Sequence, residues 1–500
     1  MGGRVKALKL NMVATLFSEF VTLAFGLIMP RLVLVHFGST GNGLVSSISQ
    51  FLGFSTILRA GIGGAIRASL YKPLAENDND ALSSIMTATE QHMKRISAII
   101  ASLILLFAAI YPFLVKDDYE WLYAFSMVLI IGMGTFVENL FGIKCKILLQ
   151  ADQKYYVQIS ITAITNILVS VMSITVILLG GSLRLMKLFA VIAALINPLL
   201  LNIYVKKHYS INWKAIPNFN AISQRWNAFF QQVAIVVNEN VDLVVLTAFV
   251  ALREVSVYTV HAMIAFNMGK IVNSCVSGIN STFGDLYARK EEEQLKVVFT
   301  FFEWLIFAVG TALYSVTAVM ISPFVSLYTR TVTDVDYYRP FFSLLMVTVV
   351  FLNSTRIPYQ MLAEGAGKFK ETRNGAVFEA ILNIVISVLG VIKFGIVGVL
   401  LGTLISCIIR TLEYAFFCVR NIVNLGTLHI VKHYTVLIST YAVITLVGKK
   451  VYLKEINNYI DWAINAVIVF CLSFFIVLIV SIIFYREQIM KLISKFWKRK

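Results

Sequence analysis

The residues best placed to do chemistry in this chain are charged side chains set inside apolar runs: Glu19, Arg31, Arg59, Glu138, Glu239, Asp242, Lys270, Arg356, and the pair Arg410 and Glu413. An ionised group at mid-bilayer costs about 2.5–3.5 kcal/mol on insertion scales, so each must be paired or face water. Guanidinium and ammonium groups in such a place are donors only, so they call for a carboxylate partner or a wet cavity. Carboxylates there either neutralise those cations or bind a coupling cation such as H+ or Na+.

Helical spacing sorts these groups into faces, since residues three, four, seven and eight apart lie on one side of a helix. Asn267, Lys270, Ser274, Ser277 and Ser281 fall within roughly 80° of one another and make a polar stripe. Gln231, Asn238 and Asp242 share a face with Glu239 beside it, and Asn353, Arg356 and Gln360 line up. Ser55, Thr56, Arg59 and Gly63 form a shorter patch that the apolar Ile48 and Leu52 continue. The expectation is a shared aqueous cavity lined by Arg31, Arg59, Lys270 and Arg356. Ser55, Gln231, Asn238, Asn267, Ser274, Asn353 and Gln360 would add polar groups to it, and Glu138, Glu239 or Asp242 are the candidates for ion coupling.

Each group also has a structural reading. Arg410 and Glu413, spaced i to i+3, can pair within their own helix. The stripes Thr162, Asn166, Ser170 and Glu379, Asn383, Ser387 suit hydrogen bonding between helices. Arg67 reads as an anchor at the inner surface, and Arg31, one residue after Pro30, can snorkel outward. His261 lies well inside an apolar run and reads as an interior histidine before it reads as a proton relay.

Other chemistry finds little support. There is no glycine-rich phosphate loop, no G-x-S-x-G, no H-E-x-x-H and no loop long enough to hold a catalytic domain, so an enzyme is not expected. The five cysteines lie in or beside apolar segments with no C-x-x-C spacing, which argues against a disulfide framework and a zinc site. No cofactor is expected. The formal charge of +16 raises the question of nucleic acid, but the lysines and arginines gather in alternate loops, as the positive-inside rule requires of a membrane protein.

The elements that must position these residues are membrane helices. The 500 residues are 58% hydrophobic with mean hydropathy +0.79. Apolar runs of about twenty residues recur throughout, each enough to cross about 30 Å of hydrocarbon. Runs such as "SLILLFAAIYPFLV" lack the alternation of barrel strands, so the fold class is an all-α polytopic membrane protein. About fourteen transmembrane helices are expected, among them spans at 43–68, 255–283, 339–362 and 432–448, with the basic amino terminus an uncleaved first helix and both termini cytoplasmic.

A repeat is visible between "ITNILVSVMS" at Ile164 and "ILNIVISVLG" at Ile381, 217 residues apart, and the same offset aligns Gly61-Ile62 with Gly278-Ile279. Two pseudo-symmetric six-helix bundles follow, 1–205 and 226–420, joined by a cytoplasmic linker at 206–225 and followed by two extra helices and a basic tail in 421–500. Equivalent helices would keep one orientation, which suits alternating access by rocking.

Three blocks carry a resemblance. "GNGLVSSISQFLGFSTILRAGIGGAIRASLYKPLAENDNDALSSI", "NVDLVVLTAFVALREVSVYTVHAMIAFNMGKIVNSCVSGINSTFGDLYARKEE" and "AEGAGKFKETRNGAVFEAILNIVISVLGVIKFGIVGVLLGTLIS" resemble, in order, blocks of the polysaccharide transporter family. These are Wzx-type flippases of the multidrug/oligosaccharidyl-lipid/polysaccharide flippase superfamily. The resemblance implies translocation of an undecaprenyl-diphosphate-linked oligosaccharide across a bacterial cytoplasmic membrane for surface polysaccharide synthesis. It also implies membrane lipids, a polysaccharide polymerase and glycosyltransferases as partners, with no nucleic acid. Such flippases resemble one another in placing cavity cations on helices 1, 2 and 8, where Arg31, Arg59 and Lys270 fall, and Asp242 fits the aspartate of the "NVDLVVL" block. The alternative is a cation-coupled multidrug antiporter of the same superfamily, whose site should be acidic or aromatic rather than cationic.

Overall fold

The computed structural model describes residues 2–59, 62–220, 226–275, 279–451 and 456–487, and Met1 and the carboxy-terminal residues 488–500 lie outside that description. Among the described residues every regular element is helical, and twelve helical stretches are long and apolar enough to cross a membrane. The protein is therefore a multi-pass all-α membrane protein. Two features reconcile the twelve with the fourteen expected. The first stretch, Leu10–Arg59, is long enough for two crossings and is broken by Gly38, whose φ of 72° no side chain adopts cheaply. The helix Trp226–Phe249 adds 24 residues, about 36 Å at 1.5 Å per residue.

Chain contacts divide the molecule into residues 1–256 and 257–500, a boundary that falls inside a helix and not in the expected linker at 206–225. The first unit runs through α1 (Gly2–Gly53), a short 3-10 helix (Phe54–Arg59), α2 (Ile62–Glu76), α3 (Asn79–Leu114), α4 (Trp121–Val137) and a π-turn (Glu138–Gly142). It continues with α5 (Ile143–Ala151), α6 (Tyr155–Leu178), α7 (Leu183–Ala194), α8 (Ile196–His208), α9 (Trp226–Phe249) and the start of α10 (Leu252–Cys275). Local chemistry sets several starts: Asp78 caps α3 by accepting from the amides of Asp80 and Ala81, and Ser182 caps α7 through Leu185. The buried hydroxyls of Tyr111 and Thr247 both donate to Ser47 Oγ, at 3.0 and 2.8 Å, and tie α3 and α9 to α1. Gly43 lies against α10, where a Cβ would come within 2.0 Å of the Leu252 carbonyl oxygen.

The amino-terminal part of the expected linker is packed on this unit. The amide of Asn212 donates to Ser83 Oγ at 2.9 Å and that of Asn218 to the Ser84 carbonyl at 3.2 Å. The Lys144 ammonium lies 4.4 Å over the Trp213 ring and the Arg95 guanidinium 5.4 Å over Phe219. Tyr209 donates to Asp152 at 2.5 Å, and burial together with that carboxylate pushes its phenol above the usual range.

The second unit carries the rest of α10, then α11 (Ile279–Ala288), α12 (Glu292–Tyr328), α13 (Pro340–Thr355), α14 (Ile357–Gly365), α15 (Phe369–Phe394), α16 (Ile396–Asn421), α17 (Thr427–Gly448) and α18 (Tyr459–Phe484). Gly390 and Gly398 bring α15 and α16 to backbone contact: a Cβ on Gly398 would lie 2.0 Å from the Gly390 carbonyl oxygen. This is the small-residue packing expected where lipid supplies no hydrophobic drive between helices. Tyr314 and Ser354 share a buried hydrogen bond of 2.7 Å, and α18 docks through Trp462, whose indole donates to the Met320 carbonyl at 3.0 Å.

The repeat reappears in the element order. The offset expected from the sequence is 217 residues. α4 and α13 end at Val137 and Thr355, and α6 and α15 at Leu178 and Phe394, each within one residue of that offset.

Candidate functional site

In the first unit the site is built where two membrane helices lose regular geometry. The expected helix over 43–68 is not continuous: α1 ends at Gly53, a 3-10 helix carries Phe54–Arg59, and α2 starts at Ile62. Gly53 permits the end of α1 to lie against α9, because a Cβ there would meet Asn240 Oδ1 at 2.4 Å. With three residues per turn, Thr56 and Arg59 share a side of the 3-10 helix and Ser55 is rotated away, so the four-residue α-helical face is not formed. Thr56 is satisfied by its own chain, donating to the Gly53 carbonyl at 2.8 Å. Arg59, half-buried at the end of this helix, has no hydrogen bond or ion pair among the described residues.

Glu138 opens the π-turn after α4, a geometry common at functional sites. Its carboxylate accepts from Lys146 Nζ at 2.7 Å, and it is the carboxylate whose charge acts on Arg59. Glu138 is thus bonded to Lys146 and not to Arg59. An anion placed at Arg59 would complete the balance.

On α9, Asn238 is half-buried with Oδ1 shielded from solvent and without a hydrogen-bond donor among the described residues. Glu239 is exposed, and its backbone carbonyl accepts from Gln50 Nε2 at 2.8 Å. Asp242 is buried and engaged. The side chain of Gln231 lies outside the described residues. Arg31, after Pro30 in α1, is half-buried and engaged.

In the second unit α10 is described to Cys275 and α11 from Ile279, and residues 276–278 between them lie outside the described residues. Asn267 is half-buried and Lys270 exposed, and the Lys270 ammonium has no ion pair among the described residues. The side chains of Ser274, Ser277 and Ser281, which would complete the stripe, lie outside the described residues.

Arg356 sits at the joint between α13 and α14 and is matched inside the unit. It donates through Nη1 to Glu379 at 2.7 Å and through Nη2 to Asn353 at 2.5 Å. Arg410 lies 3.7 Å from the other oxygen of Glu379, donates to Glu413 at 2.7 Å and to the Thr372 carbonyl at 2.8 Å, and stacks 4.1 Å over Tyr414. Two guanidiniums and two carboxylates cancel. Gly375 leaves the room: a Cβ there would sit 2.0 Å from both Arg410 and Glu413. The i to i+3 pairing of Arg410 with Glu413 is as the spacing predicts, and the bond from Ser387 to Asn383 at 2.9 Å joins that stripe to α16 through Thr403. Gln360 donates to Glu364 at 2.9 Å. His261 is an interior histidine, its Nδ1 2.8 Å from the Val257 carbonyl and its ring edge-on to Phe342.

A second buried cluster escaped the sequence reading. Glu303 of α12, 1% exposed, accepts from Tyr359 of α14 and lies 2.6 Å from His429 of α17. The sequence signal was His429 and His433 at i, i+4, but the expected span at 432–448 left His429 outside and His433 at its edge.

No protein-family model matches the chain, and no curated protein matches it. Among solved structures, a lipid II flippase MurJ in an inward closed conformation matches over 96% of this chain and 99% of its own, with TM-score 0.67 and 16% identity. An inward-facing multidrug resistance MATE family transporter of the MOP superfamily covers 83% and 97% with TM-score 0.62 and 12% identity. A Vibrio cholerae MATE transporter covers 85% and 99% with TM-score 0.57 and 13% identity. The chain thus has the fold shared by these flippase and multidrug transporters.

Proposed function

We propose that the chain is a flippase that moves an undecaprenyl-diphosphate-linked oligosaccharide across a bacterial cytoplasmic membrane by alternating access, supplying the synthesis of O-antigen, capsule or exopolysaccharide. The observation that carries this reading is Arg59: a guanidinium at a break in a membrane span, with no bonded counter-ion among the described residues, since Glu138 is bonded to Lys146. A diphosphate headgroup cannot enter hydrocarbon bare, whereas its polyprenyl tail can remain in lipid. Arg59, with Arg31, would replace the hydration of the phosphates, and Ser55 and Asn238 would meet sugar hydroxyls. Arg356, already matched by Glu379, would act as scaffold. The chain's share of its fold with a lipid II flippase supports the reading. Transport by binding and release needs no catalytic group, and Glu138, Glu239 or Asp242 would couple it to a proton or sodium gradient.

The second reading, a cation-coupled multidrug antiporter, is favoured by the likeness to MATE transporters. Site charge separates the two. Purified protein is expected to bind undecaprenyl diphosphate about tenfold tighter than undecaprenol, the difference one charge-assisted phosphate contact supplies. Equal affinity for the two lipids, together with tighter binding of tetraphenylphosphonium, would favour the antiporter.

A further inference from the structure

Two cations of the first unit have no part in the Arg59 site: Arg184 and Lys187, near the start of α7. With both termini cytoplasmic, the connections from α3 to α4 and from α6 to α7 lie outside, where the positive-inside rule disfavours lysine and arginine. Arg184 lies 4.0 Å over the ring of Tyr123 on α4, which stacks on Tyr119 at 4.8 Å. Its Nε is shielded from solvent and has no acceptor among the described residues. Lys187, half-buried and one turn deeper, has no hydrogen bond or ion pair among them. The nearby acids are no counter-ions: Asp118 accepts from the Leu252 amide at 3.3 Å, and the exposed Asp117 and Glu120 pair with neither cation.

Helical phase brings the two cations together. At 3.6 residues per turn, Arg184, Lys187 and Val191 fall within about 60° of one another. Arg184 meets Tyr123, and a Cβ on Gly134 of α4 would lie 3.8 Å from Val191, so Lys187, between them, also runs along α4. The α4 residues in phase with Tyr123 and Gly134 are Met127 and Ile130, both apolar. An ammonium set against that face finds no carboxylate, and an unpaired charge at membrane depth is costly until an anion meets it. The first turn of α7 adds the positive end of its dipole to the charge of Arg184. One border of this stripe is buried, at Met186 and Ala190, and the other is Leu185, Leu188 and Ile192, 46, 40 and 49% exposed. Those three side chains meet lipid, so an anion that reaches the cations from that border can keep its tail in hydrocarbon.

We propose that Arg184 and Lys187 form a second binding site, on the outer side of the membrane, for the phosphate group of a lipid. The guanidinium, held flat on Tyr123, donates to phosphate oxygens, and the ammonium one turn deeper adds a compact charge. Tyr123 is the positioning residue. Two lipids bring a phosphate to that place: an anionic phospholipid of the outer leaflet and, where the flippase reading holds, the delivered polyprenyl diphosphate. The site itself rests on neither Arg59 nor transport.

The test is equilibrium binding to the purified full chain carrying Arg59→Ala, so that its failure and the failure of the Arg59 site are separate results. Dioctanoyl phosphatidylglycerol is compared with dioctanoylglycerol, and undecaprenyl diphosphate with undecaprenol. At least one phosphate lipid is expected to bind about tenfold tighter than its neutral counterpart, and Arg184→Gln or Lys187→Gln should each cut that preference about fivefold. Lys116→Gln, which removes an exposed cation of the connection between α3 and α4, should leave it unchanged. Preference for undecaprenyl diphosphate alone would make this the station where the carried headgroup leaves; preference for phosphatidylglycerol as well would make it a general seat for anionic lipid. Lys187→Gln breaks no contact among the described residues and serves alone if Arg184→Gln fails to fold. No preference for either phosphate lipid, a preference that survives in a folded variant, or an equal loss in Lys116→Gln would overturn the proposal.

Discussion

Arg59→Ala is expected to slow translocation of a diphosphate-linked oligosaccharide by about 30-fold, as loss of one charge-assisted contact of about 2 kcal/mol requires. The protein should still fold, since Arg59 makes no hydrogen bond or ion pair among the described residues that its removal would orphan. Arg59→Lys should fall between, keeping the charge and losing the two-pronged geometry that matches phosphate. Arg67→Ala is the control. Its guanidinium is exposed and donates to Gln150 at 2.9 Å, and its removal should leave transport within about twofold. The comparison is read in proteoliposomes, with the three variants reconstituted at equal density. An Arg59→Ala rate equal to that of Arg67→Ala would remove Arg59 from the mechanism.

Glu379→Gln should have the largest effect on stability. The carboxylate lies between Arg356 and Arg410 at 2.7 and 3.7 Å, and its loss leaves buried guanidinium charge matched by Glu413 alone. Removing one partner of a buried ion pair costs about 3–5 kcal/mol, whereas replacing the whole pair by apolar side chains is often neutral. The double variant Arg356→Met/Glu379→Met should therefore recover much of the thermal stability that Glu379→Gln loses. Thermal unfolding in detergent checks this. A double variant no more stable than the single one would show that Arg356 is held for something other than its pairing.

The fold was legible because membrane helices announce themselves through length, hydropathy and the placement of lysine and arginine, none of which depends on tertiary contacts. The repeat was legible too: the 217-residue offset read from the sequence lies within one residue of the offsets between the ends of α4 and α13 and of α6 and α15. The breaks were not. Residues 43–68 read as one apolar run, and hydropathy does not fall where α1 gives way to a 3-10 helix at Phe54. The geometry that carries Arg59 thus lay hidden inside a span of the expected length.

Partners explain the rest. Arg410 and Glu413 lie three residues apart on one helix and could be paired by spacing. Arg356 and Glu379 belong to different elements, and a polar stripe on one helix does not reveal which helix answers it. Arg356 accordingly read as a cavity cation although its charge is matched. The Glu303 cluster draws on three elements, and Tyr359 and His429 stand 56 and 126 residues from Glu303.

The central claim is that a lipid-linked diphosphate crosses the bilayer through this protein. Its most direct test is the leaflet exchange of a fluorescent undecaprenyl-diphosphate oligosaccharide in proteoliposomes, read by quenching from outside, against liposomes without protein. The account predicts exchange in the presence of the native chain and only slow leakage without it. Equal rates with and without protein, in vesicles where the same preparation expels a cationic dye, would contradict it.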